Sequence, residues 1–164
     1  MFSARKVHQP QVRFDELAEI LEQMPVGVAI AEVPSGKLLF HNREAVRLLR
    51  HPMRPVADTS GYTHYGAKHP DGSPYAPIEY PIARAVLGQT VAPEEMAYIR
   101  GDGTETWLLV NAAPVRDIRG VIVKAVSTFF DISEQKHSSD ALLAAERRLN
   151  EALRSGDMVI IGKK

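Results

Sequence analysis

The residues best suited to chemistry gather in one irregular stretch. Between His51 and Pro77 the chain carries His51, His64 and His69, with Ser60, Asp71 and Ser73 among prolines and glycines. Imidazoles and carboxylates are metal ligands, and a catalytic zinc site needs three of them at set spacing. His64 and His69 lack helical spacing and have no clustered carboxylates beyond Asp71 and Glu79, so no metal site is assigned. Ser60, Ser73 and Ser127 stand in no nucleophile-elbow pattern. Gly101-Asp102-Gly103 precedes a strand and not a helix, which removes a dinucleotide-binding reading. The chain contains no cysteine, hence no disulfide, thiolate metal site or cysteine nucleophile. No catalytic residue is assigned, and a small enzyme built on the histidine-rich loop finds no support in the spacing.

The whole chain narrows the partners. Its 164 residues are 45% hydrophobic, enough for one domain of ordinary size and an extra helix. The 20 basic and 20 acidic residues balance. Without a basic field, nucleic acid is not expected as a direct partner. No apolar run approaches the ~20 residues that span a bilayer, and Met1–Pro10 has no signal-peptide core. A cytoplasmic domain fits, as does the cytoplasmic part of a membrane-anchored protein.

The elements follow from periodicity. Phe14, Leu17, Ile20, Leu21 and Met24 recur at helical spacing, which predicts a helix over Arg13–Met24 after a loose tail. Pro25 ends it. Val26–Val33 and Lys37–His41 read as a strand pair around Pro34-Ser35-Gly36. Asn42 is placed to cap a short helix over Arg43–Arg50. His51–Pro77 reads as a long loop, functional or mobile, before a helix over Ile78–Leu87. Thr90–Arg100, Glu105–Arg116 and Val121–Phe130 read as three more strands, the first two joined by the Gly101-Asp102-Gly103 hairpin turn. The last helix covers Asp131–Ser155. Its Asp131-Ile132-Ser133-Glu134 start resembles a capping box, and Leu142, Leu149 and Leu153 form an apolar stripe with Ala145 and Ala152. The expected fold is α+β: a five-stranded antiparallel sheet, short helices inserted after the second strand, an N-terminal flanking helix and a C-terminal helix.

In this order several short motifs resemble the PAS family. They are Met24-Pro25-Val26-Gly27-Val28-Ala29-Ile30 at the first strand, His41-Asn42-Arg43-Glu44-Ala45 at the Asn-x-x-Ala helix start, and Tyr80-Pro81-Ile82-Ala83-Arg84-Ala85 on the late helix. Arg100-Gly101-Asp102-Gly103-Thr104 at the hairpin and Asp131-Ile132-Ser133-Glu134-Gln135-Lys136 at the exit complete the set. The resemblance implies a PAS domain over 25–132, a tail and flanking helix over 1–24, a signalling or coiled-coil helix over 133–155, and a linker or next domain over 156–164. It also implies a signal-receiving module that forms homodimers and passes a change to a fused or adjacent effector, and it makes Asp131, Ile132, Ser133 and Glu134 the coupling residues.

The sheet predicts where a small ligand sits. Trp107-Leu108-Leu109-Val110 and Phe129-Phe130 do not alternate with polar residues, so both sheet faces need cover. Lys124 marks the outward parity of the last strand, which turns Ala125, Ser127 and Phe129 inward. By the resemblance, Leu108, Val110 and Ala112 also face inward, with Met96 and Tyr98, and leave Trp107 and Leu109 outward. The inward set describes a mostly apolar pocket with Tyr98 and Ser127 as its polar groups, or a filled core around the same residues. The outward cover falls to the Phe14 and Leu17 helix or to a partner subunit, with Leu142 and Leu149 continuing a dimer face.

The cofactor stays unknown on this reading. Light-sensing PAS members bond flavin through a cysteine, absent here, and carry glutamine where Phe129 stands. Haem needs an axial ligand inside the pocket, usually histidine, and the late helix has none. His69 or His64 would be the ligand if haem binds, while His64, His69 and His41 otherwise read as loop or surface residues. The leading expectation is a sensor module of a bacterial histidine kinase in a two-component system. The alternative is a ligand-free dimerisation module of a diguanylate cyclase, phosphodiesterase or transcription regulator.

Overall fold

The computed structural model describes residues 14–155. The expectations for the N-terminal tail, for 156–164 and for the Phe14 side chain lie outside the described residues. Six antiparallel strands form one sheet in the order β2-β1-β6-β5-β4-β3. They are β1 (Gly27–Glu32), β2 (Leu38–His41), β3 (Ala67–Lys68), β4 (Val91–Ile99), β5 (Glu105–Arg116) and β6 (Ile122–Asp131). The helices are α1 (Phe14–Gln23), α2 (Arg43–Leu49), α3 (Pro81–Val86) and α4 (Ser133–Ser155).

The β-branched and aromatic runs become strands because each buries one face. Along β5, Thr106, Leu108, Val110 and Ala112 are buried while Trp107, Leu109, Asn111 and Ala113 are half-buried. The same period of two puts Ala125, Ser127 and Phe129 inward on β6. α2, α3 and the segment between them cover this inner face, and their apolar residues join one core with the strands.

The sixth strand is the departure from the expected five. Ala67 and Lys68 pair with Tyr98 and Ala97 of β4 and cover an edge that would otherwise present unpaired backbone groups. The stretch read as a loop is correspondingly ordered. Thr59–Tyr65 is a 3-10 helix capped by Asp58, and Pro77–Glu79 is a shorter one ahead of α3. Tyrosines fix it: the Tyr62 hydroxyl donates to the Gly36 carbonyl, Tyr65 bonds both backbone groups of Arg54, and Tyr80 accepts from the Ala67 N–H.

Asn42 joins three elements. Its Oδ1 accepts from Val28 and Ala45 N–H, and its Nδ2 donates to the Leu21 and Val26 carbonyls, each at 2.9 Å. All four hydrogen-bonding positions of the amide are filled, and the residue is fully buried. This tether, with the Glu22 carboxylate on the Arg43 N–H at 2.8 Å, holds α1 against α2. α1 therefore makes no extensive contact with β5, and Leu17 and Ile20 remain exposed at 47% and 54%. Among the described residues no helix lies along the outer face of β5 and β6 beyond the first turn of α4, and Phe130 is 41% exposed.

Helix α4 starts two residues later than expected. The Ile132 carbonyl accepts the Lys136 N–H at 2.9 Å, while Asp131 accepts the Ser133 N–H at 2.8 Å. Asp131 thus caps from the strand end, and the reciprocal bond of a capping box does not form. α4 buries none of its residues. Leu142, Leu149 and Leu153 are exposed at 63%, 54% and 53%.

Candidate functional site

A void of about 80 Å³ lies between the inner sheet face and the inserted helices. Met96, Tyr98, Leu108, Val110, Ser127 and Phe129 line it, as do Tyr62, Tyr65 and Tyr80 from the inserted segment. Ala112 has the same inward parity and is buried, but it does not border the void. Phe129 reaches across β1 because Gly27 has no side chain, and a Cβ there would overlap its ring. No Asp, Glu, Lys or Arg side chain lines the void.

The hydroxyls in this wall are already engaged. Ser127 donates to the Asn111 carbonyl at 3.0 Å. His51 Nδ1 lies 2.7 Å from the Pro52 carbonyl, which can only accept, so that nitrogen carries the proton. Its Nε2 is then the acceptor for the Tyr98 hydroxyl at 2.6 Å. Burial holds His51 below the ordinary histidine value, against the opposing bond to Pro52, which keeps this neutral tautomer in place. Burial pushes the hydroxyls of Tyr62, Tyr65, Tyr80 and Tyr98 up, so all remain protonated at neutral pH.

His41 was expected at the surface. It instead lines the void, with its Nδ1 buried and without a hydrogen-bond partner. A buried polar atom left open costs about 1–3 kcal/mol, so it marks a place where the protein alone does not complete its bonding. Burial first, and the neighbouring His51 second, lower the His41 pKa to about 4, which leaves a neutral imidazole. The ring packs edge-on against Tyr65, with centroids 6.1 Å apart.

The sequence concealed this histidine through a bulge. Ala29 pairs with His41 and Ile30 with Phe40, but Ala31 pairs with Leu38. The shift between Ile30 and Ala31 puts Leu38 and His41, three positions apart, on the same void. Simple alternation cannot yield that pair.

The two histidines considered for haem lie elsewhere. His69 stacks on Tyr75 with centroids 3.8 Å apart and reaches Glu79 at 3.2 Å, in an outer groove. His64 is exposed and offers its carbonyl to Arg54. A void of about 80 Å³ holds several waters, far below the ~300–1,000 Å³ of a drug-sized site. Neither a porphyrin nor an isoalloxazine fits these walls, and no cysteine is present to bond a flavin.

The strand-to-helix junction adjoins the void. Both backbone groups of Trp107 bond to it: its carbonyl accepts from Ile132 N–H at 2.8 Å, and its N–H donates to Ser133 Oγ at 2.9 Å. Arg100 donates to Asp131 at 2.6 Å, to Thr106 Oγ1 at 3.0 Å and to the Leu48 carbonyl at 3.0 Å. Burial pushes the Asp131 carboxyl up, but bonds from Ser133 and Thr106 and the charge of Arg100 outweigh it and hold the group below its ordinary value. Lys136 lies 4.3 Å from the Trp107 ring centroid and bonds Glu95. Ile132 is buried, Ser133 half-buried and Glu134 exposed. Sequence reasoning named Asp131 through Glu134 for coupling; it did not name Arg100, Thr106 and Lys136, which meet this junction through partners on other elements.

Comparison with known proteins agrees with this geometry. A PAS domain profile matches residues 25–134. A search of curated proteins found no match. Among solved structures, the chain is similar to an RNA-binding light-oxygen-voltage receptor, with a TM-score of 0.62, 15% identity, and coverage of 90% of this chain and 41% of the other. The chain therefore spans about two fifths of that receptor's length. It is also similar to the PAS domain of the fruit-fly ELK potassium channel, with a TM-score of 0.56, 11% identity, and coverage of 74% and 99%. A sensory box histidine kinase/response regulator from Burkholderia thailandensis gives a TM-score of 0.52 at 13% identity, with coverage of 85% and 99%. These structures share the curled sheet, and with the profile match over most of the chain they establish that it belongs to the PAS family.

Proposed function

We propose that this PAS domain is the ligand-sensing module of a cytoplasmic signalling protein, and that a histidine kinase is its effector. It binds a small molecule in the void beside His41 and relays the change through Asp131 to α4. The carrying observation is His41 in the mostly apolar wall of the void, its buried Nδ1 without a protein partner. A buried nitrogen that no protein group completes supports a site that takes up a further polar partner.

The relay follows from contiguity. Leu108 borders the void, and its neighbour Trp107 bonds the Ile132 and Ser133 junction. The exposed stripe of Leu142, Leu149 and Leu153 fits a homodimer in which two α4 helices pair. The same stripe favours a second reading, an interaction module that dimerises without any ligand. Native mass spectrometry of the freshly purified chain separates them. A stoichiometric small-molecule adduct supports sensing, while a bare dimer supports the second reading.

A further inference from the structure

The walls of the void also define the chemical class of what binds there, an inference that rests on the sensing role proposed above. We propose that the ligand is a small uncharged molecule of about one ring, mostly apolar, bearing one hydroxyl that bonds His41.

Size sets the first limit. A void of about 80 Å³ has room for several waters or for one small ring once the walls close on it. Charge sets the second. With no Lys, Arg, Asp or Glu side chain in the lining, an ion would enter without a counter-charge and lose its hydration uncompensated. Hydrogen bonding sets the third. Tyr98 donates to His51, Ser127 to the Asn111 carbonyl, and Tyr62 to the Gly36 carbonyl. Tyr65 is occupied on both sides by Arg54, and Tyr80 accepts from Ala67. His41 also lines the void, and among the described residues its Nδ1 is the buried side-chain atom without a protein partner. A neutral imidazole offers one donor and one acceptor, and a hydroxyl can answer either. A hydroxyl on the ligand gives His41 such a partner, and a purely apolar ligand does not.

The test compares three probes of similar size on the purified chain: phenol, toluene and benzoate, titrated by calorimetry and by ligand-observed NMR. Phenol is expected to bind at least tenfold more tightly than toluene, and benzoate not at all. In His41→Phe, phenol affinity is expected to fall about tenfold while toluene affinity stays within twofold. Retained toluene binding then shows that the variant is folded and its void intact. In the unaltered protein, the His41 imidazole ¹⁵N resonances are expected to shift with phenol and not with toluene. Equal affinity for phenol and toluene, tighter binding of benzoate, or an unchanged phenol affinity in His41→Phe would overturn the class assignment while leaving a sensing void. Failure of every probe, with no adduct in native mass spectrometry, would overturn the sensing role itself.

Discussion

Arg100 and Asp131 meet at 2.6 Å at the point where β6 becomes α4. The guanidinium also holds the Leu48 carbonyl at the end of α2 and the buried Thr106 hydroxyl on β5. One side chain therefore binds the core helix, the central sheet and the exit helix together. A guanidinium has the fixed fork for such a three-way arrangement, and an ammonium does not.

Asp131→Ala removes both the Arg100 partner and the cap on Ser133. The domain is expected to fold with a loss of about 1–3 kcal/mol, measured by urea denaturation. In the full-length protein the same change is expected to weaken coupling between ligand and output. Unchanged output in an effector assay would remove Asp131 from the relay.

Asn42→Ala is expected to be far more damaging. It leaves the Val28 and Ala45 N–H groups and the Leu21 and Val26 carbonyls without their side-chain partner in one buried spot. A loss of about 3–5 kcal/mol follows from several open groups at once. Asn42→Asp tests the assignment separately, because it keeps the shape but loses both donors. A melting temperature close to that of the unaltered protein in either variant would contradict the network.

His41 gives stability a pH dependence of definite sign. Its folded pKa is about 4 against an ordinary 6.5, so the unfolded chain takes the proton first as pH falls. Stability is full above about pH 6.5 and declines toward pH 4, by about 2 kcal/mol between pH 7 and pH 5 from this residue alone. His51, also lowered, works in the same direction. Asp131, held below its ordinary value, contributes stability that is lost only at lower pH. Urea melts at stepped pH are expected to show a shallower slope in His41→Phe. An identical slope would mean that His41 is not buried as described.

Lys136 ties the first turn of α4 to the outer sheet face through Trp107 and Glu95. Trp107 is the sole tryptophan of the chain, so its fluorescence reads this contact without a label. Lys136→Met is expected to shift the emission and speed amide exchange in the first turn of α4, at a cost of about 0.5–1 kcal/mol. Emission that is unchanged in wavelength and intensity would place the ammonium off the ring.

Much of this fold was legible because strand alternation and cap chemistry are local. Asn42 as a cap, the Gly101–Gly103 hairpin and the inward parity of Ala125, Ser127 and Phe129 all follow from neighbours in sequence. Three features were not local. The bulge opposite Ala31 turned His41 inward against the alternation. β3 formed because β4 had an open edge, not because Ala67 and Lys68 favour a strand. The order of the inserted segment came from Tyr62, Tyr65 and Tyr80 reaching backbone groups on other segments. Position in the chain did not forecast those distances, although the density of tyrosines in that stretch was a usable sign of anchoring.

On β5 the residue that borders the void and the residue that grips the exit helix are consecutive, Leu108 and Trp107. The helix that leaves this point has 23 residues and is about 34 Å long at 1.5 Å per residue. In the proposed relay it would act as a lever whose fulcrum sits one peptide from the void. A tilt of only about 5° at the fulcrum would carry the far end of such a helix through about 3 Å. Mechanical gain of that kind would let a displacement smaller than a bond length at the sheet become a change of register at the tip.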